Sequence, residues 1–141
     1  MPLTQLLFSF RGRINRLPFW LASIAVALVL IVLVILSFGL GGPTEGTALV
    51  IFVLYLPVAY VGLALGTKRL HDRDKSGWWL LLFYVLPGIL QWLADMAGGA
   101  GIILQVIALV LNIWALIELG FLRGTPGPNR FGPDPLATPT A

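Results

Sequence analysis

The chain has no cysteine, and its 141 residues include a single histidine, His71. The first absence excludes disulfides, thiol catalysis and thiolate metal sites, and it leaves the redox compartment unreadable. One histidine among scattered carboxylates argues against a transition-metal centre, so no metal ligands are assigned. Charge is scarce too: 11% of the residues are charged, against roughly 25% in an ordinary soluble domain. Hydrophobic residues make up 58%. A soluble fold cannot hide that much apolar surface, so the expected solvent is lipid. The length suits one domain, 1–141, and a net charge of +3 is weak ground for nucleic acid, which is not expected as a partner.

What is present in quantity is long apolar runs. About 20 residues cross a bilayer as a helix, with about 17 as a lower limit. Four runs qualify, near Pro18–Phe38, Thr47–Gly66, Trp78–Ala94 and Gly101–Leu122. The third is the shortest and carries Pro87-Gly88, which leaves its tilt and kink open. Between the runs lie a Gly-rich hairpin at Gly39–Gly46, a charged stretch, and a tight turn at Asp95–Ala100. The first run is too long for a signal core and lacks a small-x-small cleavage site, so it is read as retained. The expected fold is an all-α membrane protein, a four-transmembrane-helix bundle.

All nine basic residues fall on one side of these spans. Arg11, Arg13 and Arg16 precede the first; Lys68, Arg69, Arg73 and Lys75 lie between the second and third; Arg123 and Arg130 follow the fourth. The other side holds only Glu45 and Asp95. Lysine and arginine resist translocation, so the basic side, with both termini, is expected to be cytoplasmic. Phe19-Trp20, Trp78-Trp79 and Phe121 fall at that inner boundary, where aromatic rings anchor helices. The Leu3–Phe10 segment is expected to lie along the inner interface. The tail 123–141 is rich in proline and glycine, its first half reading as ordered turns and its end as mobile.

Few polar groups lie within the spans. Gln105 and Asn112, seven apart, share one helix face and are expected to turn inward and bond between helices. Gly62 and Gly66 permit a close helix approach within the monomer. Glu118, about one turn inside the inner boundary, requires a partner and is expected to pair with an arginine.

The stretch "TKRLHDRDKSGWW", Thr67 to Trp79, places six charges in thirteen residues. If the second span continues as a helix through His71 or Asp72, then Lys68 and Arg69 can both pair with Asp72 locally. Ser76 or Asp74 is a candidate N-cap for the next helix. The stretch reads either as a solvated turn that sets topology or as part of a site. Catalytic readings are weak. His71-Asp72 would need further histidines for a metal phosphohydrolase, and Ser76, His71 and Asp72 crowd together without a G-x-S-x-G elbow. No Gly-x-x-x-x-Gly-Lys loop occurs, and no cofactor is implied.

Three segments, "FSFRGRINRLPFW", "TKRLHDRDKSGWW" and "GTPGPNRFGPDP", resemble the signatures of the domain-of-unknown-function 805 family of bacterial membrane proteins. The first signature corresponds to Phe10, Gly12, Arg13, Arg16, Phe19 and Trp20, and the second runs from Lys68 through Trp79. The third falls on Asn129, Arg130, Phe131, Gly132, Asp134 and Pro135, with Phe131 in place of tyrosine a mild departure. The resemblance covers nearly the whole chain and implies a small four-span protein of the bacterial inner membrane, without implying an activity. Topology asks only for basic charge, not for His-Asp or Ser-Gly-Trp-Trp in particular. The signatures are therefore read as one cytoplasmic site, comprising Arg13, Arg16, Lys68, Arg69, His71, Asp72, Ser76, Trp78, Trp79, Glu118, Asn129, Arg130 and Asp134.

The function expected first is a non-enzymatic binding or structural module whose basic face takes an anionic lipid headgroup, a phosphorylated ligand or a protein partner. A small transporter or channel component is the alternative, with Gln91, Gln105 and Asn112 as a thin polar path. A membrane enzyme acting on a lipid phosphate would use His71 and Asp72 for proton transfer and arginines as clamps.

Overall fold

The computed structural model describes residues 2–39, 41–42 and 44–137. The tail end expected to be mobile, 138–141, lies outside them, as do positions 40 and 43 of the Gly-rich hairpin. Regular structure among the described residues is helical, without strands. A short helix, α1 (Leu3–Phe8), precedes two long ones, α2 (Arg16–Gly39) and α3 (Glu45–Asp72). A third helical run, Leu81–Phe121, is composite: a π turn at Leu81–Val85, α4 (Leu86–Ala97), a 3-10 turn at Gly98–Gly101, α5 (Ile102–Leu116) and a π turn at Ile117–Phe121. All three runs, α2, α3 and Leu81–Phe121, are long and apolar enough to cross a membrane.

Local chemistry explains the boundaries. Thr44 caps α3: its side chain accepts from Thr47 N–H at 3.3 Å, and the Thr47 hydroxyl accepts from Thr44 N–H at 2.9 Å. Glu45 in the first turn complements the positive end of the helix dipole. α3 stops at Asp72 because Asp74 adopts a left-handed conformation, φ 56°. Asp74 is thus the terminator of one helix, and Ser76 Oγ accepts from Trp78 N–H at 3.3 Å in the turn before the next, whose start at Leu81 has no side-chain cap. Pro87 has no N–H to complete the α-helical ladder. The preceding π turn absorbs this, with Leu86 N–H reaching back to Leu81 O.

The expected Asp95–Ala100 turn begins later. Asp95, Met96 and Ala97 remain helical, with Gln91 Nε2 donating to the Asp95 carboxylate at 2.9 Å. The reversal is made at Gly98, where φ is 57°, and at Gly101, where any Cβ would strike the Ala94 carbonyl. Only glycine admits that conformation and that approach.

α2 packs on α3, and α4 folds back on α5, with Phe83 and Trp79 both meeting Trp114. The two pairs do not pack along their lengths. α2 and α3 meet the other pair at the Ile117–Phe121 turn, the end that carries the charges. This departs from a bundle closed throughout. In lipid, apolar helix faces have no hydrophobic drive to associate, so shape and polar contacts decide where they touch. The core accordingly sits at the charged end, from Ile14, Phe19, Leu65, Leu70, Leu80, Phe83 and Leu119.

Gln105 and Asn112 are both exposed and bond no other helix among the described residues, although Asn112 lines an open space shared with Phe19, Ser23 and Tyr84. The buried residues of α5 are Ala108 and Ala115, in line with buried Gly101 in the turn before it, all small residues that allow backbones to approach. Gly66 similarly admits Leu80, whose Cδ2 lies 2.9 Å from where a Cβ would stand; Gly62 has nothing within 4 Å.

Candidate functional site: a buried ionic clamp

Asp72, the last residue of α3, is 3% exposed and is held by two arginines. Arg13, from the loop before α2, donates from Nε at 3.2 Å and approaches with Nη2 at 3.1 Å, both to Oδ1. Arg69, one turn back on α3, donates from Nη1 to Oδ2. The guanidiniums do not stop there. Arg13 also donates to the carbonyls of Thr125 at 2.6 Å, Gly127 at 2.7 Å and Gly132 at 3.3 Å. Arg69 Nε donates to Leu119 O at 2.7 Å, and Nη2 donates to Leu122 O. Those two carbonyls belong to the end of the last helical run, where the helix leaves oxygens unpaired and the dipole is negative. The fork reaches a carboxylate and two carbonyls from three separate nitrogens, Nε, Nη1 and Nη2, a spread that a single ammonium nitrogen cannot match.

Asp72 also anchors the tail through its backbone: its carbonyl accepts from Thr125 N–H at 2.8 Å and from Thr125 Oγ1 at 3.2 Å. Gly124 passes directly over the Asp72 carboxylate, where a Cβ would collide with it. Asn129 Nδ2 donates to His71 O at 2.8 Å and to Thr125 Oγ1 at 3.0 Å. The His71 ring stacks on Phe131, centroids 3.8 Å apart, with Nδ1 3.2 Å from Gly12 O. Asp134 closes the tail turn, accepting from the N–H groups of Leu136 and Gly127, each at 2.9 Å. Those backbone donors, Leu136 first, hold its carboxyl below the usual carboxylate range.

Glu118 forms a second node, 3% exposed. Arg73 Nε lies 3.1 Å and Lys75 Nζ 2.8 Å from its Oε1, while Arg73 Nη1 donates to Arg123 O at 2.6 Å. Trp20 Nε1 donates to Gly120 O at 3.0 Å, binding α2 to the same helix end.

The structure thus joins Arg13, Arg69, His71, Asp72, Asn129 and Asp134 into one network, with Glu118 beside it. Arg130 stands at the rim, pairing with exposed Asp74 at 3.2 Å. Lys68 does not pair with Asp72. It is 0% exposed and its Nζ donates to the carbonyls of Gln5, at 2.9 Å, and Leu6. Those carbonyls lie in α1, which packs on α3 and leaves Lys68 facing away from Asp72. Arg16 is exposed and donates to Phe121 O at 3.2 Å. Trp78 is 78% exposed, and Trp79 stands against Trp114 beneath Lys75. The buried charges of Lys68, Arg69 and Asp72 exclude a merely solvated turn there.

The sequence expectation omitted Arg73, Lys75, Gly124 and Thr125. Arg73 and Lys75 were visible as cations in the charged run, but nothing local pointed them at Glu118. Chemically, the clamp is complete: among the described residues, no buried side-chain nitrogen or oxygen lacks a partner. The recess beside Arg69 and Asp72, about 20 Å³, has room for roughly one water.

A family described as "Protein of unknown function (DUF805)" matches residues 7–133. The chain belongs to this family. Among relatives of this DUF805 chain, the "Uncharacterized protein YiiR" of Escherichia coli K12 is 35% identical, covering 95% of the chain and 90% of YiiR. The "Inner membrane protein YhaH" of the same organism is 34% identical over 92% of the chain and 89% of YhaH. "Inner membrane protein YhaI" is 34% identical over 89% and 85%. No solved structure matches. Together with its membrane-length apolar helices, these relatives make the DUF805 chain a multi-pass protein of the bacterial inner membrane.

Proposed function

We propose that this is a non-enzymatic four-span protein with both termini and the Thr67–Gly77 stretch in the cytoplasm, and that its inner face docks on anionic lipid headgroups. Two hairpins, α2–α3 and α4–α5, give four crossings when α4 and α5 each span. The one-sided placement of nine basic residues supports the orientation. The observation that carries the functional reading is the division of labour among those residues. Arg13, Lys68 and Arg69 are buried and spend their donors on the protein itself. Arg11, Arg16, Arg123 and Arg130 stand exposed at the same end. The buried set acts as a structural clamp. Of the exposed set, Arg130 pairs with Asp74 and Arg16 makes one bond, to Phe121 O. The Arg11 and Arg123 side chains form no bond among the described residues and, with Arg16, are left to attract anionic headgroups. Each basic residue close to such a surface contributes about 1 kcal/mol.

The test is thermal melting of the purified protein in nanodiscs of phosphatidylcholine with or without phosphatidylglycerol. The parent is expected to melt higher with the anionic lipid, and the Arg11→Gln/Arg16→Gln/Arg123→Gln variant to lose that increment at low salt. Equal melting of the parent in both lipids refutes the reading.

A further inference from the structure

The recess beside Arg69 and Asp72 lies where the three long helical runs end together. α2 begins at Arg16, α3 stops at Asp72, and the last run stops at Phe121, two residues before Arg123. Arg16, Arg69, Asp72, Arg123 and Asp134 all line this one space of about 20 Å³. A space that small holds roughly one oxygen atom, so the charged lining surrounds a single point. Membrane-length helices that end there put the point in the headgroup layer, at the level of the lipid phosphates.

The floor and the rim of the recess differ. On the floor, Asp72 is held by Arg13 and Arg69, and each nitrogen of Arg69 already has a partner. The rim arginines are exposed and largely unengaged. Arg16 uses only Nη1, on Phe121 O at 3.2 Å. Arg123 lends its backbone carbonyl to Arg73, while its side chain forms no bond among the described residues. Asn15 caps the start of α2 through Oδ1, on Leu17 N–H at 3.1 Å, which leaves its amide N–H groups as further donors beside the recess. The first turn of α2 carries no acid, so its dipole adds to the positive field.

Charge selects the ligand. The lining sets three arginines against two aspartates, leaving one positive charge unmatched. A phosphodiester brings one negative charge, whereas a phosphomonoester brings about 1.5 to 2 and would be opposed by Asp134. A zwitterionic headgroup brings no net charge. Headgroup hydroxyls can donate to Asp134, and two guanidinium forks suit the oxygens of a phosphate.

We infer that this recess seats the phosphodiester of one phosphatidylglycerol, with one phosphate oxygen in the recess and Arg16 and Arg123 gripping from the rim. The seat rests on the anionic-headgroup reading and sharpens it from a charged surface to a single place of fixed shape.

The experiment equilibrates the full detergent-solubilised chain with equimolar phosphatidylglycerol and phosphatidylethanolamine, washes at about 1 M salt, and quantifies retained lipid by mass spectrometry. At that salt the screening length is about 3 Å, so diffuse attraction is removed and a seated headgroup stays. One phosphatidylglycerol per chain is expected, in excess over phosphatidylethanolamine. Arg123→Lys keeps the charge and loses the fork, and it breaks no side-chain bond among the described residues. Its retention is expected to fall about tenfold or more, as for one charge-assisted bond. Arg16→Lys is expected to do the same. Retention by either folded variant equal to that of the parent overturns the seat, as does retention of the two lipids alike or of neither. Those results leave standing any melting increment of the parent with anionic lipid; equal melting in both lipids is a separate failure, of the headgroup reading itself.

Discussion

Replacing Asp72 by asparagine removes one charge from the Arg13–Asp72–Arg69 triad while keeping its shape. The side chains of the two arginines are 1% and 0% exposed, so neither can turn to water when the anion is lost. Breaking a buried ion pair in this way costs about 3–5 kcal/mol. The asparagine amide also presents a donor to one of the two arginines, where that guanidinium needs an acceptor. Arg69→Lys acts differently. It leaves the charge but cannot serve Leu119 O, Leu122 O and Asp72 together. Each lost charge-assisted bond costs about 1.5–3 kcal/mol. The two changes share one contact, so the double variant should be less destabilised than the sum by about 0.5–3 kcal/mol. Wholesale replacement of the triad by hydrophobic residues, neutral in some proteins, is expected to fail here. Arg13 and Arg69 also hold five backbone carbonyls that would be stranded. The assay is unfolding of the detergent-solubilised protein followed by tryptophan fluorescence. If both single variants and the double variant unfold with the parent, the clamp contributes nothing and the reasoning is wrong.

Topology can be tested cleanly because the chain has no cysteine: single cysteines at Thr44 and Gly99 should react with an impermeant thiol reagent in intact cells, and one at Ser76 should not. Labelling at Ser76 alone would invert the orientation. Gly124→Ala should destabilise by about 1–3 kcal/mol, the range for overpacking, because its Cβ would meet the Asp72 carboxylate. Gly88→Ala, a helical glycine with open space around it, should instead stabilise by about 0.5–1 kcal/mol; equal melting temperatures for the two variants would contradict the close approach. The tail turn should be pH-sensitive. Asp134 has a carboxyl held below its unfolded value, so its stabilisation is present above the ordinary carboxylate range and lost as pH falls through the lower folded value. Amide exchange of Gly127 and Leu136 should quicken over that window, and Asp134→Asn should abolish the dependence; an unchanged profile would show that the carboxylate does not hold the turn.

Membrane residence, the long apolar helices and the family were legible in the sequence because each rests on local signals: apolar run length and three short motifs. The helix ends were half legible. Thr67 to Asp72 reads as a continuation of the second span, and Arg69 lies one turn from Asp72, as pairing requires. Lys68 was equally well spaced for Asp72 and bonds α1 instead, because the tertiary position of α1 decides which anion or carbonyl each cation meets. Arg13 reaches Asp72 across 59 residues and the tail carbonyls across more than 100; no local period encodes such partners. The interhelical bonds expected of Gln105 and Asn112 assumed that polar span residues reach protein partners. Lipid gives the apolar helices no reason to close around them, and the ionic clamp at one end holds the pairs together while leaving the gap beyond it open.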